Sequence, residues 1–311
     1  MCSSSFQRIV FFIFFYRSFI TCKSISKREL KSPGKVLGEV FQYEWEPLSK
    51  SYEEDRSKII KVPLQDLRDM DEKPNLKTHG FTWVSGRHFD NDAPLDSWYT
   101  RDQMRKTFQA DSVDLVKELT QADFAVAYTD AYRADFGRET QRLIPTIHSD
   151  ISPKGAKYFK KQFQEELSKS TDPTKVKFRE HLKQGKDVVM YTVWRPLRTV
   201  EDNHLGLCSL NSLLEGDAMN FGKKIKSVDA SNAFEAWKYR EGQRWHYLSH
   251  QTPDEAFVFH GNVPHASFYL EGDADQTRMS YEATVMAIFE SPSTEGMFSK
   301  LSRKITSLSL A

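Results

Sequence analysis

Two residues near the middle of the chain have the types and spacing of a metal-binding pair. His148 and Asp150 flank Ser149 in a polar turn that precedes Pro153. In an extended backbone, residues two apart point to the same side, so the imidazole and the carboxylate can bind one ion while Ser149 faces away. This pair alone is a weak signal, because the His-x-Asp pattern often occurs by chance.

A third candidate ligand, His265, stands far downstream in the sequence Val263-Pro264-His265. Two histidines and one carboxylate on one side of a metal leave the opposite positions open, which is the arrangement of non-haem Fe(II) oxygenases. The order and spacing of His148, Asp150 and His265 therefore predict an iron site.

A cationic residue and a hydroxyl follow on the next predicted strand, at Arg278 and Ser280. Their side chains project to the same side of an extended chain. The planar guanidinium can bind a carboxylate through two hydrogen bonds and the hydroxyl can add another, which suits the far carboxylate of 2-oxoglutarate. The alternative is that Arg278 forms a structural ion pair, for example with Glu282.

Short β-rich runs dominate the second half of the chain, and each ends at Pro, Gly or a charged cluster. Many short strands at such spacing predict a sandwich, barrel or jelly roll. The predicted strands are Val188–Trp194, Arg244–Ser249, Ala256–His260, Ala266–Leu270 and Tyr281–Phe289. The region between Gly216 and Glu241 is too ambiguous to assign.

The first half mixes helix and strand. Asp111-Ser112 can cap a helix that ends near Gln121, and Phe124–Tyr128 is typical of a short apolar strand. Pro153 suits the first turn of another helix, whose residues Phe159, Phe163 and Leu167 recur at helical spacing.

Length and composition exclude a disordered chain and allow one large domain or two small ones. No internal repeat and no Gly/Ser-rich linker divides residues 36–290, which favours a single domain. The 311 residues are 39% hydrophobic and 13% aromatic, which is enough apolar surface for a buried core. We expect an N-terminal extension over residues 1–35, a single domain over 36–290 and a Ser-rich tail over 291–311.

Charge and cysteine content restrict the partners and the compartment. Residues 1–35 carry seven basic side chains and one acidic side chain, so the rest of the chain is mildly acidic, which argues against nucleic-acid binding. Three cysteines argue against a disulfide framework and favour the cytoplasm. The apolar run Ile9–Tyr16 could act as a targeting signal, but Arg17 interrupts it before the roughly 20 residues that a membrane span needs.

Several blocks of sequence resemble a fungal family of 2-oxoglutarate/Fe(II) oxygenases that includes gibberellin desaturase and relatives of the cephamycin methoxylation protein. The similarity covers roughly residues 36–290, and the Trp-Arg-Pro-Leu and Thr-Pro-Asp-Glu blocks are its most specific parts. The blocks are His79–Phe81, Tyr191–Val200, Trp245, Gln251–Glu255, Pro264-His265 and Arg278–Glu282.

The resemblance implies an α+β protein with a double-stranded β-helix (jelly-roll, cupin-like) core flanked by helices. It implies that His148, Asp150 and His265 bind Fe(II), and that Arg278 and Ser280 bind 2-oxoglutarate. Arg195, in the Trp-Arg-Pro-Leu block, would line the same pocket. With O2 as the second co-substrate, the implied reaction is hydroxylation or desaturation of a small apolar metabolite in specialised metabolism.

One departure from the family leaves alternatives open. Only four residues separate His260 from His265, where family members often have a longer segment, so His260 is a rival for the third ligand position.

Two other functions compete with the oxygenase: an inactive jelly-roll binding or scaffold protein, and a cupin-like enzyme that uses another metal for hydrolysis or isomerisation. The substrate, the choice between hydroxylation and desaturation, and the oligomeric state do not follow from the sequence.

Overall fold

The computed structural model of the chain describes residues 36–43, 57–88, 98–134, 144–186, 188–219, 235–270 and 278–289. All the described residues lie within one compact unit, residues 35–311. The predicted N-terminal extension and the predicted Ser-rich tail lie outside the described residues.

The described residues form mostly short strands, with helices in the first half of the chain. The helices are α1 (Trp98–Thr120), α2 (Pro153–Lys169) and α3 (Pro173–Lys183). The strands are β1 (Val36–Tyr43), β2 (Ser57–Asp66), β3 (Phe81–Val84), β4 (Phe124–Ala134), β5 (His148–Ser149), β6 (Val188–Pro196), β7 (His204–Cys208), β8 (Glu235–Ala236), β9 (Trp245–Tyr247), β10 (Ala256–His260), β11 (His265–Leu270) and β12 (Met279–Ile288).

The strands form two sheets that face each other. One has seven strands in the order β1-β2-β9-β7-β11-β5-β8, and the other has five in the order β3-β10-β6-β12-β4. Trp194 and Phe257 of the second sheet pack between the sheets with Leu205 and Leu207 of the first. This arrangement, with helices packed against the five-stranded sheet, confirms the predicted α+β class and jelly-roll core.

Alternation along β6 and β12 gives the five-stranded sheet two different faces. Tyr191 and Val193 of β6 pack with Val285 of β12 against Leu115 and Val116 of α1 on the outer face. Thr192 and Trp194 of β6, which lie between these positions, therefore face the space between the sheets. Which side of β6 a residue occupies decides whether it can reach a site inside the fold.

Helix α1 is longer than predicted. The prediction that Asp111-Ser112 caps the helix is wrong, because both residues lie inside α1, which begins at Trp98. The buried Ser112 hydroxyl donates to the Phe108 carbonyl at 2.6 Å, and Asp111 is paired with Arg87, so neither side chain is available to cap a helix end.

The second predicted helix is confirmed. Helix α2 begins at Pro153, and the Ser152 hydroxyl accepts a hydrogen bond from the Gly155 N–H at 2.8 Å. The apolar residues Phe163 and Leu167 are buried against Phe178 of α3.

No helix in the described part of the chain is long and apolar enough to cross a membrane.

The predicted strands of the second half correspond to β6, β9, β10, β11 and β12, with ends that differ by a few residues. Strand β7 was not predicted. Most of the Gly216–Glu241 region, which the sequence left unassigned, lies outside the described residues.

Part of the seven-stranded sheet closes on itself. Because β1 pairs with β11 as well as with β2, the strands β1, β2, β9, β7 and β11 form a ring. Phe268 of β11 fills its interior beside Trp245, with ring centroids 5.4 Å apart. A methyl group on Gly206, which lies opposite Ala266 in the neighbouring strand, would collide with the Phe268 ring.

We therefore expect Gly206→Ala to lower the free energy of unfolding by about 1–3 kcal/mol, as overpacking of a dense core does. Urea unfolding measures this change. Gly261→Ala is the matched control, because its methyl group would meet the flexible end of Met190 and should cost less. Equal losses in the two variants would contradict the packing of Phe268 against Gly206.

Candidate metal centre

Strand pairing brings the two candidate histidines together. Strand β5 pairs with β11 in antiparallel register, and His148 lies directly opposite His265. Their ring centroids are 4.3 Å apart. Residues directly opposite in such a pair share a face of the sheet, so both imidazoles occupy the same side.

Asp150 completes the group at the end of β5. One ligand atom from each of His148, Asp150 and His265 lies within 4.8 Å of the others. The Asp150 Oδ1 atom is 3.5 Å from His265 Nε2. The backbone after Asp150 is fixed by a hydrogen bond from the Ile151 N–H to the Gly261 carbonyl at 3.0 Å.

Backbone carbonyls set the tautomer of both histidines. His148 Nδ1 lies 2.7 Å from the Thr146 carbonyl, and His265 Nδ1 lies 3.0 Å from the Val263 carbonyl. A carbonyl oxygen only accepts, so each Nδ1 carries the proton and each Nε2 keeps its lone pair. Burial and the nearby His265 lower the pKa of His148, which favours the neutral form that a metal requires.

Thr192 orients the carboxylate, a role that sequence analysis missed. Its hydroxyl donates to Asp150 Oδ2 at 2.6 Å, which leaves Oδ1 to face the histidines. Thr192 belongs to the Tyr191–Val200 block, but only its position on the inner face of β6 reveals the contact. Hydrogen bonds of this kind hold metal ligands in place.

Arg278 and Ser280 are buried and retain unused hydrogen-bonding capacity. Arg278 donates from Nη1 to the Asn203 carbonyl at 2.5 Å, and its guanidinium carbon lies 5.3 Å from the centre of the Trp194 ring. Arg278 Nε and Ser280 Oγ have no partner among the described residues. Burial, followed by the charge of Arg133, lowers the pKa of Arg278 to about 9. A buried cation with open donors is suited to an anionic ligand.

Arg278 does not form the ion pair with Glu282 that the sequence offered as an alternative. Glu282 is bound instead by Arg133, whose Nε donates to Oε2 at 2.9 Å while Nη2 donates to Oε1. Among the described residues, Arg278 Nε therefore has no partner, and the charge of Glu282 acts on Arg278 only from a distance.

Two other residues considered from sequence do not join the group. Arg195 lies on the outer face of β6, where it is paired with Asp111 and lies 5.2 Å from the centre of the Phe108 ring. His260 lies on the outer face of β10, with its ring 4.7 Å from that of Tyr191. Within the described residues, His265 and not His260 is near His148 and Asp150.

The residues present fit a divalent transition metal. Two neutral imidazoles and one carboxylate converge from one side, as in the two-histidine, one-carboxylate sites of non-haem iron enzymes. Both histidines have carbonyl partners and Asp150 has Thr192, so each ligand is already oriented.

The chain is similar in sequence to a family of known proteins. Residues 31–285 match the model of a family described as "Oxidoreductase/YMDC permease-like domain". The chain is 24% identical over 251 residues to the alpha-ketoglutarate-dependent dioxygenase phiK of Fungal sp., a match that covers 73% of this chain and 83% of that protein. It is 28% identical over 125 residues to the gibberellin cluster GA4 desaturase of Gibberella fujikuroi, which covers 34% of this chain and 36% of that one.

A solved structure has the same fold. The iron and alpha-ketoglutarate-dependent endoperoxidase NvfI superimposes with a TM-score of 0.56 at 20% sequence identity, over 82% of this chain and 97% of that protein. At this identity the likeness concerns the fold.

We expect Thr192→Val to weaken metal binding by about tenfold or more, because Asp150 loses the hydrogen bond that orients it. Anaerobic titration with Fe(II) measures this change. Thr284→Val is the matched control, since Thr284 lies opposite Thr192 on the neighbouring strand without a hydrogen bond to Asp150. An unchanged affinity in Thr192→Val would show that Thr192 does not orient the ligand.

Proposed function

The chain belongs to the family described as "Oxidoreductase/YMDC permease-like domain", and from this premise we propose that it is an Fe(II)- and 2-oxoglutarate-dependent dioxygenase. Its substrate is a small apolar metabolite of specialised metabolism, which it hydroxylates or desaturates. The catalytic domain spans residues 36–290, with residues 1–35 and 291–311 as flanking segments.

The observation that carries this proposal is the convergence of three ligand atoms in a chain that also buries a carboxylate clamp, Arg278 and Ser280, with open hydrogen-bond donors in the described residues. His148, Asp150 and His265 bring their ligand atoms within 4.8 Å of one another. Arg278 Nε and Ser280 Oγ lie buried without partners in the described part of the chain. A metal-chelating dicarboxylate would account for both features, because its chelating end suits the three ligands and its far carboxylate suits the buried donors of Arg278 and Ser280.

The iron supplies the oxidative chemistry when it is bound together with 2-oxoglutarate and O2. The chain's own residues hold and orient these groups. His148 and His265 direct Nε2 at the ion because their Nδ1–H groups donate to backbone carbonyls. Thr192 fixes one oxygen of Asp150 and leaves the other for the ion.

Arg278 and Ser280 bind the far carboxylate of 2-oxoglutarate. The Arg278 guanidinium is held by the Asn203 carbonyl and lies against the Trp194 ring, so few rotamers remain to be restricted when the ligand binds. Only 2% of Arg278 is exposed, so water competes weakly for its donors.

The competing functions are less well supported. An inactive scaffold does not explain why the ligand set is complete and why Thr192 and two carbonyls orient it. The relatives are named as dioxygenases, desaturases and hydroxylases, which favours oxidation over hydrolysis or isomerisation. The three cysteines and the mildly acidic domain support a cytoplasmic protein that does not bind nucleic acid.

We expect His265→Ala to abolish Fe(II)-dependent release of succinate from 2-oxoglutarate and to leave the fold intact, as circular dichroism would show. The same result is expected for His148→Ala and Asp150→Ala. His260→Ala is the matched control, because His260 lies five positions away on the outer face and should retain activity. Activity that survives all three ligand substitutions would refute the proposed enzyme.

We expect Arg278→Met to raise the KM for 2-oxoglutarate by about tenfold or more, because charge-assisted hydrogen bonds to the carboxylate are lost. Arg195→Met is the matched control. It removes another buried arginine of the same sheet, so it should lower the melting temperature but leave this KM unchanged. A raised KM in both variants would point to general destabilisation rather than to a carboxylate clamp.

A further inference from the structure

Ser280 lies among three charged side chains. Arg278, Ser280 and Glu282 alternate along β12 and its preceding residue, so they share one face of the sheet. Strand β4 places Arg133 directly opposite Ser280. The Ser280 hydroxyl therefore has one arginine beside it along the strand and another across from it.

Arg133 and Glu282 form a two-point ion pair next to this hydroxyl. Arg133 Nε donates to Glu282 Oε2 at 2.9 Å, and Nη2 donates to Oε1. Their side chains are 13% and 22% exposed, so the pair is neither a surface bridge nor sealed in the core. Charges in such a position are screened less than those on the surface.

The two arginines act on each other. Burial is the largest cause of the lowered pKa of Arg278, and the charge of Arg133 is the next, while Glu282 opposes both. Burial lowers the pKa of Arg133, but its hydrogen bond to Glu282 and the charges of Glu282 and Asp150 raise it further than burial lowers it. Arg133, Arg278 and Glu282 together carry one net positive charge around Ser280.

We propose that Arg133 and Glu282 are positioning residues that set the affinity of the site for 2-oxoglutarate through their charges. Arg133 attracts the dicarboxylate, and Glu282 holds Arg133 in place while it limits the total positive charge. This inference rests on the proposed function, because it concerns the same co-substrate.

The test is the dissociation constant of 2-oxoglutarate at saturating Fe(II) without O2, measured from the visible absorption band and by calorimetry. Arg133→Met leaves Glu282 unpaired and should weaken binding about tenfold, whereas Glu282→Gln should tighten it several-fold. Arg133→Lys keeps the charge and should stay close to the wild type. The double variant Arg133→Met with Glu282→Gln restores the net charge and should return towards wild-type affinity.

A purely structural ion pair predicts a different pattern. Arg133→Met and Glu282→Gln would then weaken 2-oxoglutarate binding equally, and the double variant would also bind weakly. This result would overturn the inference. Unchanged affinity in all variants would overturn it as well. Arg105→Met is the control, because it removes an ion pair that β4 makes with α1 through Asp130. It should not change the affinity.

Failure of the proposed function gives a separate result. A wild-type protein that binds no 2-oxoglutarate in the presence of Fe(II) would overturn the dioxygenase proposal and this inference with it. If the wild type binds 2-oxoglutarate, but Arg133→Met and Glu282→Gln do not shift the affinity in opposite directions, this inference alone is overturned.

Discussion

The pairing of β5 with β11 is the constraint on which the site depends. Strand β5 contains two residues, and its register sets His148 opposite His265. A shift by one residue would turn one imidazole to the other face of the sheet, because side chains alternate along a strand. β8 on the other side of β5, and the hydrogen bond from Ile151 to Gly261, hold this short strand in position.

Alternation in the opposite sheet decides which side chains can serve that site. Thr192 and Trp194 face the interior of the jelly roll, where they contact Asp150 and Arg278. Arg195, between Trp194 and Pro196 in the same strand, faces α1 and pairs with Asp111. Neighbouring residues of one sequence block therefore have unrelated roles, one in the site and one in the packing of a helix.

The charged side chains of the site are held by specific hydrogen bonds. Asp150 accepts from Thr192, and Arg278 donates to the Asn203 carbonyl. Arg278 Nε and Ser280 Oγ have no partner among the described residues, and each buried group of this kind lowers the stability of the fold by about 1–3 kcal/mol. A site that is oriented and unsatisfied before its ligands arrive loses less freedom when they bind.

The sequence alone shows which residue types can form the site and which near neighbours point to the same side of the chain. His148 and Asp150 share a side because they are two apart in extended chain, and so do Arg278 and Ser280. Only the tertiary structure decided that His265 rather than His260 joins the group, that Arg195 faces outwards, and that Thr192 orients Asp150. The physical reason is that local spacing fixes which residues point together, whereas the register between distant strands fixes which of the two faces is the interior.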